Sequence, residues 1–191
     1  MSSDRVQLGH GAGGVLTGRL VQEVFLEALG APEGPLDDAA SLGGELVMTT
    51  DAFVVDPLEF PGGDIGELAV CGTVNDLWVC GARPLGLSAA FILEEGLEFE
   101  VLRRVTASMA RAARQAGVAV LTGDTKVVPR GKGDGCYITT TGVGRVQPGV
   151  SMGPAQARPG DRLLISGPVG QHGAAIMARR AGLGPGEVVR S

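Results

Sequence analysis

The stretch GTVNDLWVCGA, residues 72–82, places Asn75 and Asp76 side by side within an apolar run formed by Val70, Val74, Leu77, Trp78 and Val79. A carboxylate in such a run must be paired, bound to a cation or turned to water, because an unpaired one in the interior costs several kcal/mol. The surrounding pattern predicts a helix over about Ile65–Val79, apolar on nearly every face and therefore buried. Asp64 reads as its N-cap, and Gly81 ends it.

Upstream, ELVMTTDAFVVDP (45–57) reads as a strand running into a functional loop, followed by the turn FPGGD (60–64). DDAAS (37–41) is a polar elbow, and LGHGAGG (8–14), with four glycines in seven residues, is a flexible loop. Between them Leu16, Leu20, Val24 and Phe25 recur at helical spacing, with stop signals at Gly30-Ala31-Pro32. Downstream, GLSAAFIL (86–93) is a strand, and Leu102, Val105, Met109, Ala112 or Ala113, and Ala116 mark an amphipathic helix. VAVLT (118–122) and CYITTTGVGRV (136–146) are strands separated by the polar loop GDTKVVPRGKGDG (123–135). Strands alternating with helices predict an α/β or α+β domain over residues 1–148, without fixing the sheet as parallel. In residues 149–191 the stretch ARPGDRLLISGPVGQHGAAIMARRAG (157–182) reads as turn, strand, glycine-rich loop and helix. That is the opening of a second α/β domain too short to bury its own apolar face, so the expectation is a chain truncated at its C-terminus.

Length bounds the answer to one full-sized domain, since 191 residues are too few for two. Hydrophobic residues at 44%, charged residues at 19% and a mean hydropathy of +0.21 mark a globular chain. Its aromatic-poor core of Ala, Val and Leu suits close helix-on-sheet packing. A net charge of −5 argues against a nucleic-acid partner, which needs a basic surface. Arg103, Arg104, Arg111 and Arg114 read as the solvated face of a helix. Cys71, Cys80 and Cys136 are odd in number and form no C-x-x-C, so neither a zinc site nor a disulfide framework is indicated. Cys71 and Cys80 are expected to pack as small hydrophobes. MSSDRVQLGHGAGG lacks a basic n-region and an apolar h-region, and no apolar run is long enough to span a bilayer. The expectation is a cytoplasmic protein with no membrane partner.

Asp37/Asp38, Asp51, Asp76 and Asp124 share one style, each meeting a loop or interrupting an apolar segment. Drawn together they repel, and something positive must offset them. With two histidines and no thiolate cluster, hard oxygen ligation of Mg²⁺ through few carboxylates plus substrate phosphates is the fitting chemistry. Lys126 and backbone N–H groups around Gly123 would meet phosphate oxygens, and HGAGG would close over a nucleotide. Singly each signal is weak. LGHGAGG matches neither Walker nor Rossmann spacing, DDAA is an ordinary turn, Asp124-Thr125-Lys126 an ordinary polar loop, and His10 and His172 ordinary loop residues. Their order along the chain is the stronger signal.

HGAGG, DDAA, TTDAFVVDPLEFPGGDIG, GTVNDLWVCGA, TGDTKVV and SGPVGQHGAAIM follow the order found in the HypE family of hydrogenase maturation proteins, which this sequence resembles over essentially its whole length. The wider superfamily includes aminoimidazole ribonucleotide synthetase, selenophosphate synthetase and thiamine-monophosphate kinase. The resemblance implies an α/β (α+β) N-terminal domain whose mixed sheet pairs with a second copy into a barrel-like homodimer, with ATP and Mg²⁺ near the interface. It implies Asp37, Asp38, Asp51, Asp76 and Asp124 as metal ligands. His10, Gly11, Gly13, Gly14, Asn75, Gly123, Asp124 and Thr125 would contact the nucleotide, with Asp76 and Lys126 catalytic. Family members receive a carbamoyl group on a C-terminal cysteine from the carbamoyltransferase HypF. They use ATP to dehydrate the thiocarboxamide to a thiocyanate, and the nitrile passes to the HypC-HypD scaffold as the future cyanide ligand of [NiFe]-hydrogenase iron. Here the sequence ends EVVRS with no cysteine near it, so the acceptor expected of the family is missing. A related small-molecule kinase or synthetase, or a non-catalytic dimerisation and docking module, are the alternative readings.

Overall fold

The computed structural model describes residues 5–30 and 36–183. Its contacts fall into two compact units, Met1–Leu36 and Asp37–Ser191. In the first, Leu8–Gly11 forms a 3₁₀ turn rather than a wholly flexible loop. The buried His10 closes that turn, its Nδ1 accepting from the Gln7 N–H at 3.0 Å. Helix α1 (Val15–Leu20) runs through a π-helical stretch, Val21–Leu26, into α2 (Glu27–Leu29) and stops at Gly30, where the sequence predicts.

The second unit is built on alternation. Its strands are β1 (Ala40–Gly43), β2 (Leu46–Phe53), β3 (Glu59–Phe60), β4 (Gly63–Asp64), β5 (Ala82–Glu94), β6 (Val120–Val128) and β7 (Cys136–Val146). In β7 every second residue from Cys136 to Gly144 is buried, the period-2 mark of a strand covered on one face. β7 is the middle of a five-stranded sheet ordered β1-β2-β7-β5-β6, while β3 and β4 pair separately. All neighbours in the large sheet are antiparallel except β5 and β6, which are parallel and need the long crossover that a helix supplies. The sheet is mixed, as expected.

Helices α3 (Ile65–Val79) and α4 (Phe99–Gln115) cover one face. Asp64 caps α3 through its Oδ1, which accepts from the N–H groups of Gly66 at 2.7 Å and Glu67 at 3.0 Å. A Cβ on Gly66 would lie 2.2 Å from the Val105 carbonyl oxygen, so the close approach of α3 to α4 requires glycine there. The core joins Ile65, Val70 and Val74 of α3, Val105 and Met109 of α4, and Leu87 and Ile138 of the sheet. Burial of α3 on nearly every face is corrected: Cys71 is exposed, as are Trp78 and Val79. One side of the helix packs, and its apolar outer side stays open. Cys71 therefore does not pack as a small hydrophobe, and Cys80 is only half-buried.

Two further expectations change. Strand β6 continues through Val128, so Gly123–Lys126 belong to a strand and not to a loop. As an edge strand it is open to water nearly throughout, and its polar residues mimic a loop. DRLLIS (161–166) forms no strand among the described residues. Leu163, Leu164 and Ile165 are 98%, 94% and 70% exposed, and no strand among the described residues pairs with them. Beyond it, α5 (Gln171–Arg180) buries Ala175 and Ile176, sets the His172 ring edge-on to Phe60 at 5.2 Å, and donates from Arg180 Nε to the Asp56 carbonyl at 2.7 Å. Among the described residues no helix is long and apolar enough to cross a membrane.

Candidate functional site

Residues two apart on a strand share a face, as do residues three apart on a helix. Thr49 and Asp51 are related in the first way on β2, Thr73 and Asp76 in the second on α3. Where the two elements pack, their side chains cross over. Thr49 Oγ1 donates to Asp76 Oδ2 at 2.8 Å, and Thr73 Oγ1 donates to Asp51 Oδ2 at 3.3 Å. Behind them Thr140, level with Asp51 on the neighbouring β7, places its Oγ1 2.5 Å from that of Thr73 and 3.0 Å from the Ala69 carbonyl oxygen.

Asp76 is half-buried, and the loss of water pushes its carboxyl above the ordinary range. The Thr49 hydroxyl opposes that shift, while the charge of Asp51 and a hydrogen bond shared with it add to it. Among the described residues, ion pairs join Arg103 to Glu100, Arg104 to Glu59 and Lys126 to Asp124; none reaches Asp51 or Asp76. Asp37 and Asp38 lead into β1, and the Asp38 N–H donates to Asp37 Oδ1 at 3.0 Å. Their charges, with that of Asp76, raise the Cys80 thiol beyond what its burial does. Asp37 and Asp38 thus lie near Cys80, just past the end of α3.

Asp124 is placed elsewhere. It registers with Ala90, one residue beyond Ala89, which faces the helices, so it lies on the opposite sheet face from Asp51. Lys126 holds it at 3.0 Å and keeps its carboxyl below the usual range. Gly123, Asp124 and Thr125 line part of a groove of about 920 Å³ between α4 and β6, with Met109 and Leu121. Asn75 is exposed on α3 beside Asp76. His10, Gly11, Gly13 and Gly14 belong to the Met1–Leu36 unit, where the Gly13 N–H donates to Thr17 Oγ1 at 2.9 Å.

A single five-carboxylate cluster is therefore not what this chain forms. Among the described residues no three His, Cys, Asp or Glu side chains are grouped to hold a metal. Asp51 and Asp76 nonetheless suit magnesium, which takes hard oxygen ligands through one or two carboxylates and completes its shell with phosphates and water. The threonines escaped sequence reasoning. The signal that reveals them is the pair T-x-D on a strand and T-x-x-D on a helix.

Residues 36–146 match the family described as AIR synthase related protein, N-terminal domain. The chain belongs to the AIR synthase-related family. The HypE resemblance also holds across it. This AIR synthase-related chain is 53% identical over 190 residues to the carbamoyl dehydratase HypE of Rhodobacter capsulatus, covering 96% of the chain and 56% of that relative. The HypE–HypF complex contains a chain similar to it with a TM-score of 0.83 and 48% identity, over 90% of this chain and 57% of that one. HypE solved in complex with ATP gives a TM-score of 0.71 and 52% identity, over 94% and 55%. The chain thus spans little more than half the length of these relatives.

Proposed function

We propose that the chain is the nucleotide-binding part of a HypE-type carbamoyl dehydratase, which uses ATP to convert a cysteine thiocarboxamide into a thiocyanate. The observation that carries this is the crossed Thr/Asp arrangement, two adjoining carboxylates held by hydroxyls, which no ion pair among the described residues reaches. The similarity to HypE, including an ATP complex, supports it.

Amide oxygen is a poor leaving group. Transfer of the terminal phosphoryl group of ATP to the thiocarboxamide oxygen lets that oxygen depart with phosphate, and loss of both N–H protons leaves the nitrile. Magnesium, when bound, supplies neutralisation of phosphate charge. Asp51 and Asp76 would hold it, with Asp37 and Asp38 close by. Asn75 is assigned to the nucleotide, as are His10, Gly11, Gly13 and Gly14. Asp124 as a ligand, Lys126 as a phosphate contact, and Gly123 and Thr125 enter through the barrel-like homodimer expected of the family. Cys136 is assigned no acceptor role, since burial pushes its thiol up to about 11.

We assign the remainder of the reading on the same footing. Residues 149–191 open a second domain, HypF and a HypC-HypD scaffold are the partners before and after dehydration, and the protein works in the cytoplasm. A HypE–HypF complex supports the first of those partners.

Thermal unfolding of the chain with ATP, with and without Mg²⁺, tests the reading. At about 100-fold excess over Kd the wild-type chain should gain about 2.7 kcal/mol in the presence of Mg²⁺, and Asp76→Asn should abolish the gain. A folded chain with no Mg²⁺-dependent gain would overturn it.

A further inference from the structure

Thr73 and Thr140 are fully buried, and their two hydroxyl protons face three contacts. Thr73 Oγ1 reaches Asp51 Oδ2 at 3.3 Å and Thr140 Oγ1 at 2.5 Å, and Thr140 Oγ1 also reaches the Ala69 carbonyl at 3.0 Å. A hydroxyl donates once, and a carboxylate only accepts. Two oxygens at 2.5 Å need a proton between them, and two proton arrangements supply it. In one, Thr140 donates to Thr73 and Thr73 to Asp51, leaving the Ala69 carbonyl with the intrahelical bond that α-helix geometry gives it. In the other, Thr140 donates to Ala69 and Thr73 to Thr140, and the Asp51 oxygen has no hydroxyl. An ionised Asp51 favours the first, because a hydrogen bond to a charged acceptor is stronger than one to a carbonyl already served.

We propose that Thr73 and Thr140 are positioning residues for Asp51: Thr140 orients the Thr73 hydroxyl, and Thr73 fixes one carboxylate oxygen so that the other is presented to the magnesium–nucleotide complex. The inference rests on the reading that Asp51 and Asp76 hold that complex. It assigns the two hydroxyls unequal duties. Thr73 touches Asp51 directly, whereas Thr140, from β7, acts through Thr73.

The test pairs two measurements on the chain: ATP affinity with and without Mg²⁺ by calorimetry, and stability of the nucleotide-free chain by urea unfolding. Thr73→Val removes the hydroxyl at nearly constant volume and should weaken Mg²⁺-dependent ATP binding about tenfold, while Mg²⁺-free binding stays unchanged. Thr73→Ser keeps the hydroxyl and should restore the affinity to within about threefold of wild type. Thr140→Val breaks two contacts, as Thr73→Val does, and should lower the urea midpoint by a similar amount, yet weaken Mg²⁺-dependent binding less. A purely structural role makes affinity follow stability across the three variants. That ranking, or wild-type affinity in Thr73→Val, overturns the inference while leaving the nucleotide site standing. Absence of Mg²⁺-dependent binding in the folded wild-type chain overturns the proposed function, and this inference with it.

Discussion

Asp51 and Asp124 stand three strands apart on one sheet and meet opposite circumstances. Asp124 is exposed on the edge strand, with Lys126 at 3.0 Å cancelling its charge and lowering its carboxyl. Asp51 faces helix α3 beside Asp76, where the hydrogen-bond donors are hydroxyls and the nearest charge has the same sign. The outer pair is electrostatically complete. The inner pair is incomplete, and a fold that gathers like charges under partial burial sustains a cost that a bound cation would relieve. Charge left uncancelled, rather than the number of carboxylates, distinguishes a binding site from a solvated surface.

Three substitutions probe that contrast by urea unfolding across pH. The largest effect is expected of Thr49→Val, which strips Asp76 of its donor and should cost about 1–2 kcal/mol at pH 7. Next is Asp76→Asn in the nucleotide-free chain, expected to stabilise by up to about 1 kcal/mol at pH 7 through relief of the cost of partly burying its charge and, second, of like-charge repulsion. The sign follows from linkage. Between the ordinary Asp value of 3.8 and the raised folded value, the folded chain binds more protons, so Asp76 makes wild-type stability fall as pH rises through that window. The advantage of Asp76→Asn should therefore vanish below about pH 3.8. A variant no more stable than wild type at pH 7 would mean that the Asp76 charge carries no such cost. The smallest effect belongs to Lys126→Met, which should leave the urea midpoint nearly unchanged because the outer pair is solvated. Its small contribution has the opposite pH sense, being lost as pH falls through the lowered folded value of Asp124.

Local signals carried well from sequence to structure. Ile65–Val79 and its Asp64 cap depend on neighbours within a few residues, and the alternation of CYITTTGVGRV requires only one covered face. Signals that depend on who lies next door did not carry. The polar edge strand β6 reads as a loop because no covered face imposes alternation on it. DRLLIS has strand composition but no partner strand among the described residues. Sequence order brought Asp124 into line with Asp51 and Asp76, but order along a chain does not say which face of a sheet a side chain takes. The order of motifs still pointed to the correct family, and the Asp51–Asp76 half of the candidate site was legible. The threonines were not, since a hydroxyl shows its role only once packing has given it an acceptor.

The position of β7 has a consequence for how the polypeptide is made. β1 and β2 form one antiparallel pair and β5 and β6 one parallel pair, and within the sheet only β7 joins them. It is also the last of the five to leave the ribosome. Until Val146 has emerged, the two pairs have no strand to join them, and Asp51 has no Thr140 at its side. The Asp51–Thr73–Thr140 contacts thus wait on translation of the central strand.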